Sequence, residues 1–178
     1  MKILIASDIH GSSYYAKKLC EAFDSQKADM MILLGDIYNH GPRNPLPLEY
    51  NPLEVARLLN EKKEKLMVIK GNCDSEVDEC ISQFDFVDFG QIFVDGKKIS
   101  LTHGQKFNKE HMPANAGDIM FYGHLHTSFI TKVDGVIVVN TGSVALPKDN
   151  CHSFAMLENG KISIIDIDTM QLKNEYQS

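Results

Sequence analysis

Five short apolar runs constrain this chain most, because each one ends on a side chain able to bind a metal. ILIAS is followed by Asp8 and His10, MMILLG by Asp36, LMVIKG by Asn72, ISLT by His103, and IMFYG by His124 and His126. Short apolar runs bounded by polar punctuation and glycine read as buried strands. A glycine stands beside each candidate ligand or one residue beyond it: Gly11, Gly35, Gly71, Gly104 and Gly123. In α/β sheets, ligands bind in the crevice beyond the carboxyl ends of the strands. Any one of these Asp or His residues alone would read as an ordinary cap or surface group. Their recurrence behind all five runs predicts a shared site.

Between the runs the spacing becomes helical. Residues 2–7, 30–34 and 65–70 read as strands, and Tyr15, Leu19 and Phe23 share one face of a helix over 12–25. Asn51-Pro52-Leu53-Glu54 opens a second helix, with Asn as cap, Pro at the first position and Glu at the third, running to about residue 63. Residues 75–84 read as a third helix capped by Ser75. The second half is β-rich. Asp95-Gly96, Asp134-Gly135 and Glu158-Asn159-Gly160 are hairpin signals between apolar runs, and residues 108–115 carry its one helical expectation. A βαβαβα order followed by a meander predicts one α/β domain over residues 1–178. Its parallel strands are extended by antiparallel ones, with helices on the outer faces. Segment 41–52 holds four of the six prolines; it reads equally as a stiff surface loop or as the border of a substrate site.

Composition narrows the partners. A formal net charge of −6 and the lack of a basic, aromatic-interleaved stripe argue against long nucleic acid or an anionic membrane surface. A small phosphorylated molecule remains compatible, since bound metals supply local positive charge. The first apolar run is far too short for a signal peptide or a membrane span. Cys20, Cys73, Cys80 and Cys151 form no CxxC pair, as expected of a reducing cytoplasm. A homo-oligomer is left open.

Residues two apart in an extended segment point the same way, so Asp8 and His10 are expected to grip one ion, with His124 and His126 similarly placed. Carboxylate, imidazole and amide oxygen together suit Mn²⁺, Fe²⁺ or Zn²⁺ better than Ca²⁺ or Cu⁺.

The series Asp8-x-His10, Gly35-Asp36, Gly71-Asn72, His103-Gly104 and Gly123-His124-x-His126 resembles the calcineurin-like metallophosphoesterase superfamily. Two further stretches, residues 39–44 (NHGPRN) and 71–78 (GNCDSEVD), resemble its small prokaryotic YfcE-type phosphodiesterases. The resemblance implies a four-layer α/β/β/α sandwich with mixed sheets and a centre of two divalent ions, Mn²⁺ foremost, with Fe²⁺, Zn²⁺ or Ni²⁺ as alternatives. It implies that Asp8, His10 and His126 hold the first ion, that Asn72, His103 and His124 hold the second, and that Asp36 bridges both. Asp36, Asn72 and His103 form the implied catalytic set, and His40 and Arg43 the implied contacts to a small phosphoester substrate. A hydroxide shared by the ions would attack phosphorus in line while both polarise phosphoryl oxygens. The implied activity is hydrolysis of a small phosphodiester. The alternatives are a phosphomonoesterase or nucleotidase, or a non-catalytic scaffold of the same fold that has lost part of the metal set. No expected ligand is missing here, which favours the enzyme.

Two departures stand out. Many superfamily members carry His directly after the motif Asn, where it helps protonate the leaving group; here that residue is Cys73, and a thiol is a poor substitute. This favours diesters with good leaving groups. Asn140-Thr141-Gly142-Ser143 has Thr where relatives commonly show Pro, a change expected to be harmless.

Overall fold

Every apolar run that precedes a candidate ligand is a strand in the computed structural model, which describes residues 1–177. The chain order is β1 (Lys2–Ala6), α1 (Ser13–Ser25), β2 (Met30–Leu33), α2 (Pro52–Asn60), a 3₁₀ turn (Lys63–Lys65), β3 (Leu66–Ile69), α3 (Glu76–Glu79), β4 (Phe86–Val87), β5 (Gly90–Val94), β6 (Lys97–Leu101), β7 (Ile119–Tyr122), β8 (Ser128–Val133), β9 (Val136–Thr141), β10 (Ser153–Glu158), β11 (Lys161–Asp166) and β12 (Leu172–Gln177). The first two helices start where the caps predict: Ser12 Oγ accepts from Tyr15 N–H and Asn51 Oδ1 from Glu54 N–H, satisfying donors that have no partner inside the helix.

The third helix is a single turn rather than the expected span 75–84. Ser75 and Asp78 cap each other there, but none of its residues is buried, and a helix with no packed face has little to prolong it. The helix expected over 108–115 is absent as well. Asn108 Oδ1 instead accepts from the N–H groups of Glu110 and His111, a local turn that competes with helix.

Two sheets stack face to face. The larger has strand order β12-β11-β10-β1-β2-β3-β4, with β1 to β4 parallel and β10 to β12 antiparallel. The smaller has order β5-β6-β7-β9-β8, with β6, β7 and β9 parallel and an antiparallel strand at each edge. The expected hairpins at Asp95-Gly96, Asp134-Gly135 and Asn159-Gly160 are present, and both turn residues of each have positive φ, as type I′ turns require. The second half is nonetheless no simple meander, because the crossover 102–118 makes β7 parallel to β6. Hairpin signals are local and say nothing about such a crossover.

Alternation along the strands sorts the core. Leu4, Ala6, Met31, Leu33 and Val68 pack under the helices against Leu19, Phe23, Val55 and Leu59. Ile3, Ile5, Ile32 and Ile69 face the second sheet and meet Ile99, Leu101, Phe121 and Val139. The outer face of the second sheet, Met120, Tyr122 and Val138, is covered by Met112 of the crossover and by Phe129. This is the expected α/β sandwich with mixed sheets. Its fourth layer is the irregular crossover, with no helix there among the described residues.

Candidate metal centre

The carboxyl ends of β1, β2, β3, β6 and β7 come together at one rim of the sandwich. Parallel pairing of β1 with β2 continues beyond both strands: Asp8 N–H donates to Gly35 O at 3.0 Å, His10 N–H to Asp36 O at 2.9 Å and Gly11 N–H to Ile37 O at 2.8 Å. The segment is not extended, contrary to expectation. Asp8, His10, Asp36, His124 and His126 all have left-handed backbones, with φ of 60°, 50°, 55°, 64° and 58°. Such a conformation costs a non-glycine residue roughly 1–2 kcal/mol, and such strain clusters at functional sites. Between the two ligands Ile9 is fully buried in the core, which anchors the strained turn.

Side-chain atoms converge from all five loops. His126 Nε2 lies 3.1 Å from Asp8 Oδ1, and His10 Nε2 lies 3.5 Å from the same oxygen. His10 Nε2 and His126 Nε2 face each other at 3.2 Å. Asp36 Oδ2 sits between two groups, 3.8 Å from His10 Nε2 and 3.4 Å from His103 Nε2. His103 Nε2 in turn is 3.1 Å from Asn72 Oδ1 and 3.2 Å from His124 Nδ1. Asp8, His10 and His126 thus offer ligand atoms within 4.8 Å of one another, as do Asp8, Asp36 and His103, and His10, Asp36 and Cys73.

The orientation of these atoms is fixed from behind. His10, His103 and His126 each direct Nδ1 at a backbone carbonyl, of Asn39, Leu34 and Leu146, at 2.8, 2.6 and 2.6 Å. A carbonyl only accepts, so each Nδ1 is an N–H donor and Nε2 is the ring atom turned toward the centre. Asp8 Oδ1 is buried there without a hydrogen bond, a costly state unless a cation or a proton completes it. The donor set therefore fits divalent cations.

The sequence assigns no role to three side chains that support these loops. Asp74 accepts from the N–H groups of Asp36, Ile37 and Gly71, each at 2.8 Å. Asn140 Nδ2 donates to Gly123 O at 2.6 Å, and Ser143 Oγ to Asp8 O at 2.7 Å. Asp74 is thereby committed to the backbone and cannot orient a ring at position 73. Two glycines permit close approach: a Cβ on Gly71 would lie 2.2 Å from Asp36 Oδ1, and one on Gly123 1.9 Å from Ser7 Oγ.

The electrostatics follow from this crowding. Burial alone would raise the Asp8 carboxyl, but the His10 and His126 rings hold it well below the usual carboxylate range. Asp36 is likewise lowered by His103 against the effect of burial. Burial opposes charge on His103, yet Asp36 and Asp8 together raise that ring to about 9. His10 is raised by Asp8 in the same way, whereas burial and the charge of His103 lower His124. Burial, then the charge of Asp36, pushes the Cys73 thiol up to about 12, which makes it a poor anionic donor. Its Sγ instead accepts from Asn72 Nδ2 at 3.2 Å, leaving the amide oxygen of Asn72 turned toward His103.

Above these atoms opens a cavity of ≈ 800 Å³, whose walls include Asp36, Asn72, Cys73, His124 and His126, with Arg43, Leu125 and Lys148 toward solvent. The structure separates the two loop residues that the sequence grouped as phosphate contacts. Arg43 lines the cavity. The His40 ring does not; it packs edge-on to Tyr50, with centroids 5.3 Å apart. The loop is pinned at its base, where Ser12 Oγ donates to Leu48 O and Ser13 N–H to Glu49 O.

The calcineurin-like phosphoesterase superfamily domain matches residues 1–161. Phosphodiesterase YfcE of Escherichia coli K12 is 39% identical over 175 residues, covering 97% of this chain and 95% of that protein. The solved structure of YfcE, described as a phosphoesterase from E. coli, superimposes with a TM-score of 0.96 and covers 99% of each chain at 37% identity. Phosphodiesterase MJ0936 of Methanocaldococcus jannaschii is 27% identical over 153 residues, covering 80% of this chain and 83% of that one.

Proposed function

The chain belongs to the calcineurin-like phosphoesterase superfamily and is a phosphoric ester hydrolase, and we propose that it cleaves small phosphodiesters at a centre of two divalent ions. The observation that carries this reading is the buried, unpartnered Asp8 Oδ1 facing the Nε2 atoms of His10 and His126. Asp8, His10 and His126 hold one ion, and Asn72, His103 and His124 the other. Asp36 serves both, in keeping with its distances to His10 and His103. When bound, such ions act as Lewis acids on phosphoryl oxygens and bring the pKa of water toward neutrality; Mn²⁺ is the first choice for this mixed donor set.

The chain's own residues do the rest. Backbone carbonyls fix the histidine tautomers, and Asp74 ties the Asp36 and Gly71 loops together through three N–H groups. Arg43 presents a planar fork suited to phosphate oxygens. Cys73 stands beside Asn72 with a thiol too basic to release a proton readily, so a leaving group that departs as a stable anion is preferred. That preference, with the names of its relatives, supports diesters over monoesters as the substrates. Four free thiols fit a reducing cytoplasm, and among the described residues no helix is long and apolar enough to cross a membrane.

The test is a screen of aryl and alkyl phosphodiesters against the matching monoesters, with Mn²⁺ added and metal content measured. Diesters should be cleaved faster with two ions per chain. Monoesters cleaved faster than diesters would replace this reading with a phosphomonoesterase, and binding of two ions with no hydrolysis would replace it with a scaffold.

A further inference from the structure

We propose that Lys148 makes this site selective for phosphodiesters in which one ester substituent itself carries an anionic group, such as a carboxylate or a second phosphate. The inference rests on the phosphodiesterase reading above and specifies its substrate class. The Lys148 backbone is held at the cavity rim. Its N–H donates to His126 O at 2.7 Å, while His126 Nδ1 donates to Leu146 O at 2.6 Å, so residues 146–148 bracket that ligand on both sides. Arg43 lines the same cavity, and Gly41, two residues before it, lies so close to Cys73 that an added Cβ would stand 2.9 Å from its Sγ. Two cationic arms thus line one cavity, together with Asn72, Cys73 and His126.

Neither arm is neutralised. Among the described residues, no carboxylate pairs with Arg43 or Lys148. The nearest acid in sequence, Asp149, is already engaged by Ser128 and by Lys173 at 2.9 Å. Unpaired cations beside a centre built for divalent ions repel it and each other, and an anionic ligand relieves that repulsion. A single scissile phosphate fills only part of ≈ 800 Å³. The remaining wall holds no Phe, Tyr or Trp on which a nucleobase could stack; it offers Asn44, the apolar Leu125 and Lys148. Those groups suit a short chain ending in negative charge.

The experiment uses the Mn²⁺-loaded full chain and three 4-nitrophenyl phosphodiesters with the same leaving group. Their second substituents are butyl, 3-carboxypropyl and 3-phosphonopropyl, which separate neutral, carboxylate and phosphate-like ends. In the wild type the charged diesters should have KM about 10-fold below that of the butyl ester, within the range for a hydrogen bond to a charged group. Lys148→Met should bring that ratio to about 1 at unchanged metal content, and Lys148→Arg should retain it. A ratio of 1 in the wild type, or one that survives in Lys148→Met, overturns the proposal while leaving phosphodiester hydrolysis intact. No hydrolysis of any of the three by the loaded wild type overturns both readings.

Discussion

At the cavity floor, Asp8, His10, Asp36, His103 and His126 are buried, and each is held by backbone hydrogen bonds or a left-handed turn. At the rim, Arg43, Leu125 and Lys148 are exposed, and among the described residues no carboxylate pairs with either cation. Preorganised groups in a dry setting act strongly and cost no rearrangement when the reaction begins. Exposed arms act through charge in water, where screening weakens them. The floor should therefore decide whether chemistry occurs, and the rim which molecule undergoes it.

The largest effect is expected at Asp36, the carboxylate proposed to serve both ions, whose Oδ2 lies between His10 Nε2 and His103 Nε2. Asp36→Asn keeps the shape but removes the charge. It should lower kcat by roughly 10²–10³-fold or more, the range for losing one group that stabilises transition-state charge, and bound metal should fall too. Near-normal turnover with two ions per chain would break the division between floor and rim at its strongest point.

Next in size is the pH dependence of metal uptake. The ring of His103 is raised to about 9, so below that pH a proton occupies the Nε2 that a cation needs, and His10 is shifted in the same direction. A raised pKa means the protonated form dominates at lower pH and is lost as pH rises through the shifted value. Mn²⁺ must displace that proton, so affinity should climb with pH up to about 9, by ~10-fold per unit for each proton released. Titration calorimetry at pH 7 in buffers of different ionisation heat measures the release directly. Uptake without proton release would mean that the floor is not set by these rings.

The same contrast explains what the sequence could and could not reveal. Floor residues were legible because each follows an apolar run that can only be a buried strand, and buried polar groups at strand ends need a purpose. Their left-handed backbones were not, since the D-x-H spacing alone reads as extended. The supporting roles of Asp74, Asn140 and Ser143 were not legible, because they bind backbone atoms of loops distant in sequence and such pairings leave no local pattern. At the rim the Pro-rich loop was visible but its facing was not. His40 and Arg43 look alike as phosphate contacts until the fold turns the ring of one toward Tyr50. Lys148 had no signal at all, being a lysine in a polar loop. The crossover that puts β7 parallel to β6 was missed for a related reason: turn residues specify hairpins, and nothing so short specifies a crossover.

Arg43→Ala should have a smaller effect, about 10-fold in kcat/KM, since an exposed guanidinium contributes a charge-assisted contact partly screened by water. Metal content should be unchanged. Loss of metal would move Arg43 to the floor; identical kinetics across several diesters would make it a solvated loop residue.

The smallest effect is expected at the boundary between the two regions, where Cys73 touches both. Its N–H donates to Asp36 Oδ1 at 2.8 Å, its Sγ accepts from Asn72, and it is only half-buried. Without a proton donor there, a departing oxygen must leave as an anion or take its proton from water. An aryl oxide tolerates this and an alkoxide does not, so the wild-type rate should depend steeply on leaving-group pKa. A well-positioned general acid is worth about 10²–10⁴-fold, but Cys73→His should recover only part of that. The carboxylate beside it, Asp74, is occupied by three backbone donors, so the new ring would lack the partner that orients it, and its loss of Sγ would free the Asn72 amide to turn. The expected gain is severalfold on alkyl diesters and none on aryl ones, seen as a shallower slope of log kcat/KM against leaving-group pKa at equal metal content. Equal slopes would show that another group already delivers the proton or that bond cleavage does not limit the rate. A gain near the full 10⁴ would show instead that position 73 belongs wholly to the floor, oriented as firmly as His103.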